Sequence, residues 1–172
     1  MGYRSDVRMV IRGPKDLILR EFANLRLIGN KCTQEVLDEW HVMECDAIKY
    51  RSDPSNDTVQ EIPAAVAILG QGGTEWKWYK GYEDVRAHNA VYNHFQWLHS
   101  DSEDDSAESF LDGAFVRIGK ENNDIEFDHF GEGGYELAGP ARSIVCPYDD
   151  ISKPDLRPRL TGIYPLYSKQ GA

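Results

Sequence analysis

The chain has no apolar run near the roughly 18 consecutive residues that a helical membrane span requires. Cysteine is scarce. Cys32, Cys45 and Cys146 are odd in number, far apart and outside any C-x-x-C pattern, so they read as free thiols in a reducing compartment. No disulfide or metal staple is required, because a chain of 172 residues can bury roughly two-thirds of its unfolded surface as one domain. Basic residues are also short, with 19 Lys and Arg against 29 Asp and Glu, a net charge of −10. That field disfavours naked nucleic acid and anionic membrane and favours basic partners, with plain solvation as the simpler alternative. The stretch 1-MGYRSD-6 lacks the apolar core of a signal peptide, and Asp6 stands where myristoylation wants Ser or Thr. The expectation is a cytoplasmic protein.

Catalytic signatures are absent as well. There is no G-x-S-x-G, and no cysteine has a recognisable nucleophile context. The glycines of 70-GQGG-73 and 131-GEGG-134 do not sit between a strand and a helix, so they make turns rather than phosphate cradles. His88, His94 and His99 share one predicted helix, but spacings of six and five do not stack side chains as a zinc pair would need. His94 is placed facing the core, and His88 and His99 at the surface. No catalytic residue, metal or cofactor is therefore assigned.

What the sequence does hold is periodicity. Tyr3, Ser5, Val7, Met9 and Ile11 alternate with Arg4, Asp6, Arg8 and Arg12, which predicts a strand with one dry side. Gly13-Pro14 closes it, and Leu17, Ile18, Phe22 and Leu25 form the stripe of a helix over 15–28. Thr33 can cap a short helix running to Trp40, and 42–50 reads as a strand. A polar loop over 51–63 leads to a strand at 64–70 and, after a turn, a hairpin partner at 75–80 with Trp76 and Trp78 pointing inward. Ala87, Val91, His94, Phe95 and Leu98 then keep helical spacing over 83–99, with Glu83 and Asp84 at the favourable N-terminal end. Two strands follow at 114–119 and 124–130, and a further strand is expected near Tyr135.

The predicted fold is α+β: a mostly antiparallel sheet with the two main helices on one face, an order that suits a ferredoxin-like arrangement. The domain spans 1–146. Residues 147–172 hold four of the eight prolines and no periodicity, which predicts an extended or disordered C-terminal arm. Tyr148, Ile163, Tyr164 and Tyr167 would be its anchoring side chains, on the arm's own domain or exchanged with a second copy to make a homodimer.

The densest charge lies in 101-DSEDDSAESFLDG-113, six acids with no base. Asp101, Glu103, Asp105 and Asp112 fall at positions 1, 3, 5 and 12 of a calcium loop. Ser106 stands where that loop needs Gly, and Asp112 where it needs a bidentate Glu, so a solvated acidic loop is the stronger reading. Asp101, Glu103, Asp104, Asp105 and Glu108 are the candidate partner-binding residues.

Four segments carry a resemblance: 1-MGYRSDV-7, 78-WYKGYEDV-85, 115-FVRIGKENNDIEF-127 and 142-RSI-144. They resemble a group of small acidic proteins encoded by bacteriophages and prophages, in patches scattered over residues 1–144. Gly81, Glu83 and the longer Pro/Tyr tail depart from that pattern. The resemblance implies a phage accessory protein acting in the host cytoplasm, of a kind that binds and disables a host or defence protein, and it brings no catalytic residue with it. A metal-dependent or nucleotide-processing hydrolase and a structural assembly factor are the competing readings.

Overall fold

The computed structural model describes residues 4–51, 55, 57–73, 75–121, 123–140, 144–149 and 155–156. Strand β1 (Ser5–Pro14) runs into helix α1 (Lys15–Ile28), followed by the short helix α2 (Lys31–Leu37), β2 (Trp40–Tyr50), β3 (Gln60–Leu69) and a two-residue β4 (Glu75–Trp76). Helix α3 (Glu83–Ser100), a 3-10 turn (Ala107–Phe110), β5 (Asp112–Ile118) and β6 (Ile125–Phe130) complete the main body. A second 3-10 turn (Gly134–Glu136) and the small ladder of β7 (Gly139–Pro140) and β8 (Ile144–Val145) come last. Among the described residues no helix is long and apolar enough to cross a membrane.

The sheet order is β2-β3-β1-β5-β6, with every neighbouring pair antiparallel. β3 lies between β1 and β2, and β1 lies between β3 and β5. Two strand–helix–strand units are thus interleaved, which is the split βαβ pattern of ferredoxin-like sheets, extended by β6. The predicted α+β architecture, with its main helices on one face, is what the chain adopts.

That helix-bearing face is the larger core. Val7, Met9 and Ile11 from β1 meet Leu17, Ile18 and Phe22 from α1 and Phe95 from α3, each nearly or fully buried. Each such side chain contributes about 1.5–3 kcal/mol of transfer free energy on burial. Glu21 is buried on α1 and sits 2.7 Å from His94 Nε2, tying α1 to α3 with a polar contact inside this layer. His94 is therefore a satisfied histidine at the core margin.

The opposite face corrects the reading of β1 as a strand with one dry side. Val10, Met43, Val66, Ile68, Ala114 and Val116 form a second core there, covered by Leu137, Ala138 and Ile144. Arg8 is buried on this side, between Asp6 and Asp149. The C-terminal chain, which has no periodicity of its own, covers what the alternation had marked as the polar row.

Three further expectations are corrected. Asn30, not Thr33, caps α2: its side chain accepts from the Thr33 N–H at 2.9 Å, and the helix begins at Lys31. The segment 75–80 does not form a hairpin with β3. Gly70 adopts φ +82, and after the turn only Glu75 and Trp76 return to strand, pairing with Asp6 and Ser5 of β1. They continue the line of β3 along the same neighbour, because Met9 opposes Leu69 just before the excursion. A Cβ at Gly70 would lie 2.1 Å from the Val7 carbonyl oxygen, so the close passage requires glycine. Finally, the segment after 131-GEGG-134 makes a 3-10 turn at Tyr135 where a strand was expected.

Burial on the second face makes a prediction. It pushes the Cys146 thiol up to about 11 from an ordinary value of 9.0. The neutral thiol is favoured in the folded state, so its stabilising contribution is complete below pH 9 and is lost as pH rises toward 11. Urea unfolding of wild type and Cys146→Ala at pH 8, 9.5 and 11 should show the difference between them shrinking with pH. A constant difference would show that the thiol does not couple to folding.

Candidate functional site

The aromatic segment 76–85 is the first place to look, and the fold resolves it as structure. Trp78 stacks on the His88 ring at a centroid separation of 5.9 Å, and Trp76 meets Trp78 edge-on at 6.1 Å. Trp40 Nε1–H donates to His88 Nδ1 at 3.1 Å. Three of the four tryptophans thus gather around one histidine. Phe115 also lies 6.1 Å from Trp78, so the indole contacts run to His88 and Phe115 on the helix side of the sheet. Trp78 is buried and Trp76 half-buried.

His88 itself, expected at the surface, is fully buried. The signal was present, since His88, Val91, Tyr92 and Phe95 follow the i, i+3, i+4, i+7 rule and all four are buried. Because Nδ1 accepts from Trp40, the ring proton sits on Nε2, which faces Glu39 Oε1 at 3.5 Å. The cluster packs α3 onto β2.

The acidic loop is different. It leaves α3 at Asp101 and is stitched by serines: Ser102 Oγ donates to His99 O, Ser106 Oγ to Glu103 O and Ser109 Oγ to Ser106 O, each at 2.6 Å. Backbone bonds from Ser106 N to Glu103 O and from Ser109 N to Ser106 O reinforce the same three-residue steps. Asp105 takes φ 63, a left-handed conformation that Asp tolerates better than most side chains. The backbone is therefore satisfied internally, and the carboxylates are left to face outward. Asp101, Glu103, Asp104 and Asp105 are exposed and Glu108 is half-exposed.

None of these five carboxylates takes part in an ion pair among the described residues. The acids of the sheet contrast with them. Asp112 bonds Arg12, Asp124 and Glu126 bond Arg117, and Asp6 and Asp149 bond Arg8. Arg8, Arg12 and Arg117 are thus taken up by these acids, and among the described residues no cation is left against the loop. The C-terminal end of α3 points at the same place, and its dipole adds to the negative field.

An open depression of about 320 Å³ lies here, lined by Trp97, Leu98, Asp101, Ser102, Glu103, Ser106 and Glu108. Trp97 is 59% exposed, the largest aromatic surface beside the acids. Sequence reasoning passed over it. Arg86, Ala90, Asn93 and Trp97 share the exposed stripe of α3, and a tryptophan on the polar face of an amphipathic helix was the signal to notice. Asp112, the sixth acid, is separated from the cluster by its bond to Arg12 and its acceptance of the Gly133 N–H at 3.1 Å. Among the described residues no three His, Cys, Asp or Glu side chains converge as a metal ion would need.

The arm begins against the sheet. Tyr148 is half-buried on the second core, its hydroxyl 3.4 Å from Arg12 Nη1 and its carbonyl accepting from Gln71 Nε2 at 2.7 Å. Leu156 lies on the opposite face, buried in the helix-side core, and its N–H donates to Val42 O at 2.8 Å. Ile163, Tyr164 and Tyr167 fall outside the described residues. Comparison with protein-family models, with curated proteins and with solved structures finds no match to this chain.

Proposed function

We propose that this chain is a binding protein whose acidic depression at the C-terminal end of α3 docks a basic surface on a partner protein. The observation that carries the reading is the contrast in charge pairing. Five carboxylates on this loop have no cation partner among the described residues, whereas Asp6, Asp112, Asp124, Glu126 and Asp149 on and beside the sheet pair with arginines. Trp97 supplies what charge alone lacks: an exposed indole can anchor an interface and hold a lysine or arginine head over its face. The resemblance of the sequence to phage-encoded accessory proteins extends the proposal to the partner's origin, a host or antiviral-defence protein bound and inhibited in the host cytoplasm.

Exposed charges at an interface chiefly accelerate encounter, while buried aromatic anchors slow dissociation. The two roles separate experimentally. The partner is first isolated by affinity capture from bacterial lysate and purified. Replacing Asp101, Asp104 and Asp105 by Asn and Glu103 and Glu108 by Gln should then lower its association rate by about tenfold or more at low ionic strength and flatten the salt dependence. Asn at 105 keeps the left-handed backbone accessible, so the loop should hold its shape. Trp97→Ala should instead raise the dissociation rate. An unchanged association rate at low salt would reduce the loop to a solvating surface.

A further inference from the structure

Among the described residues strand β6 keeps one edge unshared, and its two faces differ in chemistry. Among the described residues its one strand neighbour is β5. Ile125 and Phe127 oppose Ile118 and Val116, so they lie on the sheet face away from the helices. They remain 44% and 42% exposed, and Tyr135, whose ring lies beside His129, is 59% exposed. The helix-side face carries Glu126 and Asp128. Glu126 accepts from Arg117 Nε at 2.8 Å and Asp128 from the Tyr92 hydroxyl at 3.0 Å. Among the described residues Arg117 bonds Glu126 and Asp124 while Asp128 meets only the Tyr92 hydroxyl, so the formal charge of these groups is net negative.

A second copy is a poor occupant for this edge. An antiparallel self-pairing centred on Phe127 sets Glu126 opposite Asp128 of the other copy. Centring on either acid sets that acid opposite itself, and the registers between place carboxylates against Ile125 and Phe127. Like charges directly opposite destabilise a ladder, and opposite charges stabilise it. An incoming strand fits when its apolar side chains cover Ile125 and Phe127 and its cations fall over Glu126 and Asp128.

We propose that β6 is a strand-addition edge for an extended segment of a partner protein in which apolar residues alternate with lysine or arginine. Main-chain bonds to the open edge provide affinity, and the two faces set register and specificity. The site is separate from the acidic loop and stands or falls without it. The two adjoin, because Phe130 at the end of β6 lies 5.7 Å from His99 in the last turn of α3.

The test uses the full chain and a nine-residue capped peptide of alternating lysine and valine, with a peptide of the same composition arranged in two blocks as the control for charge. Amide hydrogen exchange is followed residue by residue. The alternating peptide should slow exchange in 125–130 by about tenfold or more at saturation, and the block peptide should not. Phe127→Lys should abolish the protection; Ile125→Lys is the second variant in case the first folds poorly. The charge-neutralised loop described above should retain it. Equal protection by both peptides, or unchanged binding after Phe127→Lys and Ile125→Lys, would overturn the proposal. So would an alternating-peptide effect that vanishes with the loop charges alone, an outcome that leaves the acidic-loop reading intact.

Discussion

Trp40→Ala is expected to lower the unfolding free energy by about 3–5 kcal/mol, the range for deleting a buried aromatic side chain. Trp40 is almost wholly buried, meets Phe22 edge-on at 5.7 Å and donates its indole N–H to His88 Nδ1. Truncation opens a cavity between β2 and α3 and strands the histidine's acceptor in a dry site. Both costs have the same sign. Total stabilities of domains run to about 5–15 kcal/mol, so this loss brings the alanine variant toward half-unfolding in dilute buffer, and Trp40→Phe provides the measurable second case. The phenylalanine keeps most of the packing but not the donor, and should still cost about 1–3 kcal/mol for the unsatisfied nitrogen. Urea midpoints at unchanged slope are the readout. A phenylalanine variant as stable as wild type would mean that the Trp40–His88 bond adds nothing.

Arg8→Ala is expected to cost up to about 3 kcal/mol, at the low edge of the range for breaking a buried ion pair. Its side chain is 4% exposed and bonds Asp149 through both Nε and Nη2, at 2.9 and 3.3 Å, and Asp6 through Nη1 at 2.6 Å. The two carboxylates are about 30% exposed, and water can partly reclaim them once the guanidinium is gone, which holds the effect down. The loss should be local before it is global. Asp149 also accepts the Gly72 N–H at 3.0 Å, so Arg8 fixes both the C-terminal segment and the turn after β3. Exchange at Ile144 and Val145 should accelerate more than exchange in α1. Arg8→Lys should recover only part of the loss, since an ammonium cannot reproduce the forked contact. Uniform acceleration across the chain would show that the segment has no separate dependence on Arg8.

Where one segment's own period decides its environment, the sequence was sufficient. The apolar stripe of 15–28 and the alternation of 3–12 specify a helix and a strand whatever surrounds them, because side chains share a face every third or fourth residue in a helix and every second in a strand. The turn glycines and the acid-rich 101–108 were legible for the same reason, being local features that need no partner. The order of strand and helix types suited a split arrangement, but the sheet order itself is set by the pairing of β1 with both β3 and β5.

What lay across the sheet was not legible. Arg8 and Arg12 were read as a solvated row, since nothing within ten residues shows that Asp149 and Tyr148 will return to them. Trp76 went to β1 rather than β3, opposite Ser5, a partner that no pattern within the segment itself reveals. His88 was placed outside by a choice between two adjacent stripes on one helix, which only packing against Trp40 and Trp78 settles. The five loop acids illustrate both levels. Their number and density were determined by the sequence alone, but their lack of counter-ions among the described residues was decided by the tertiary structure, which brings Arg8, Arg12 and Arg117 to other carboxylates. Charge is a property of a residue, whereas compensation is a property of a pair, and only the folded chain chooses the pairs.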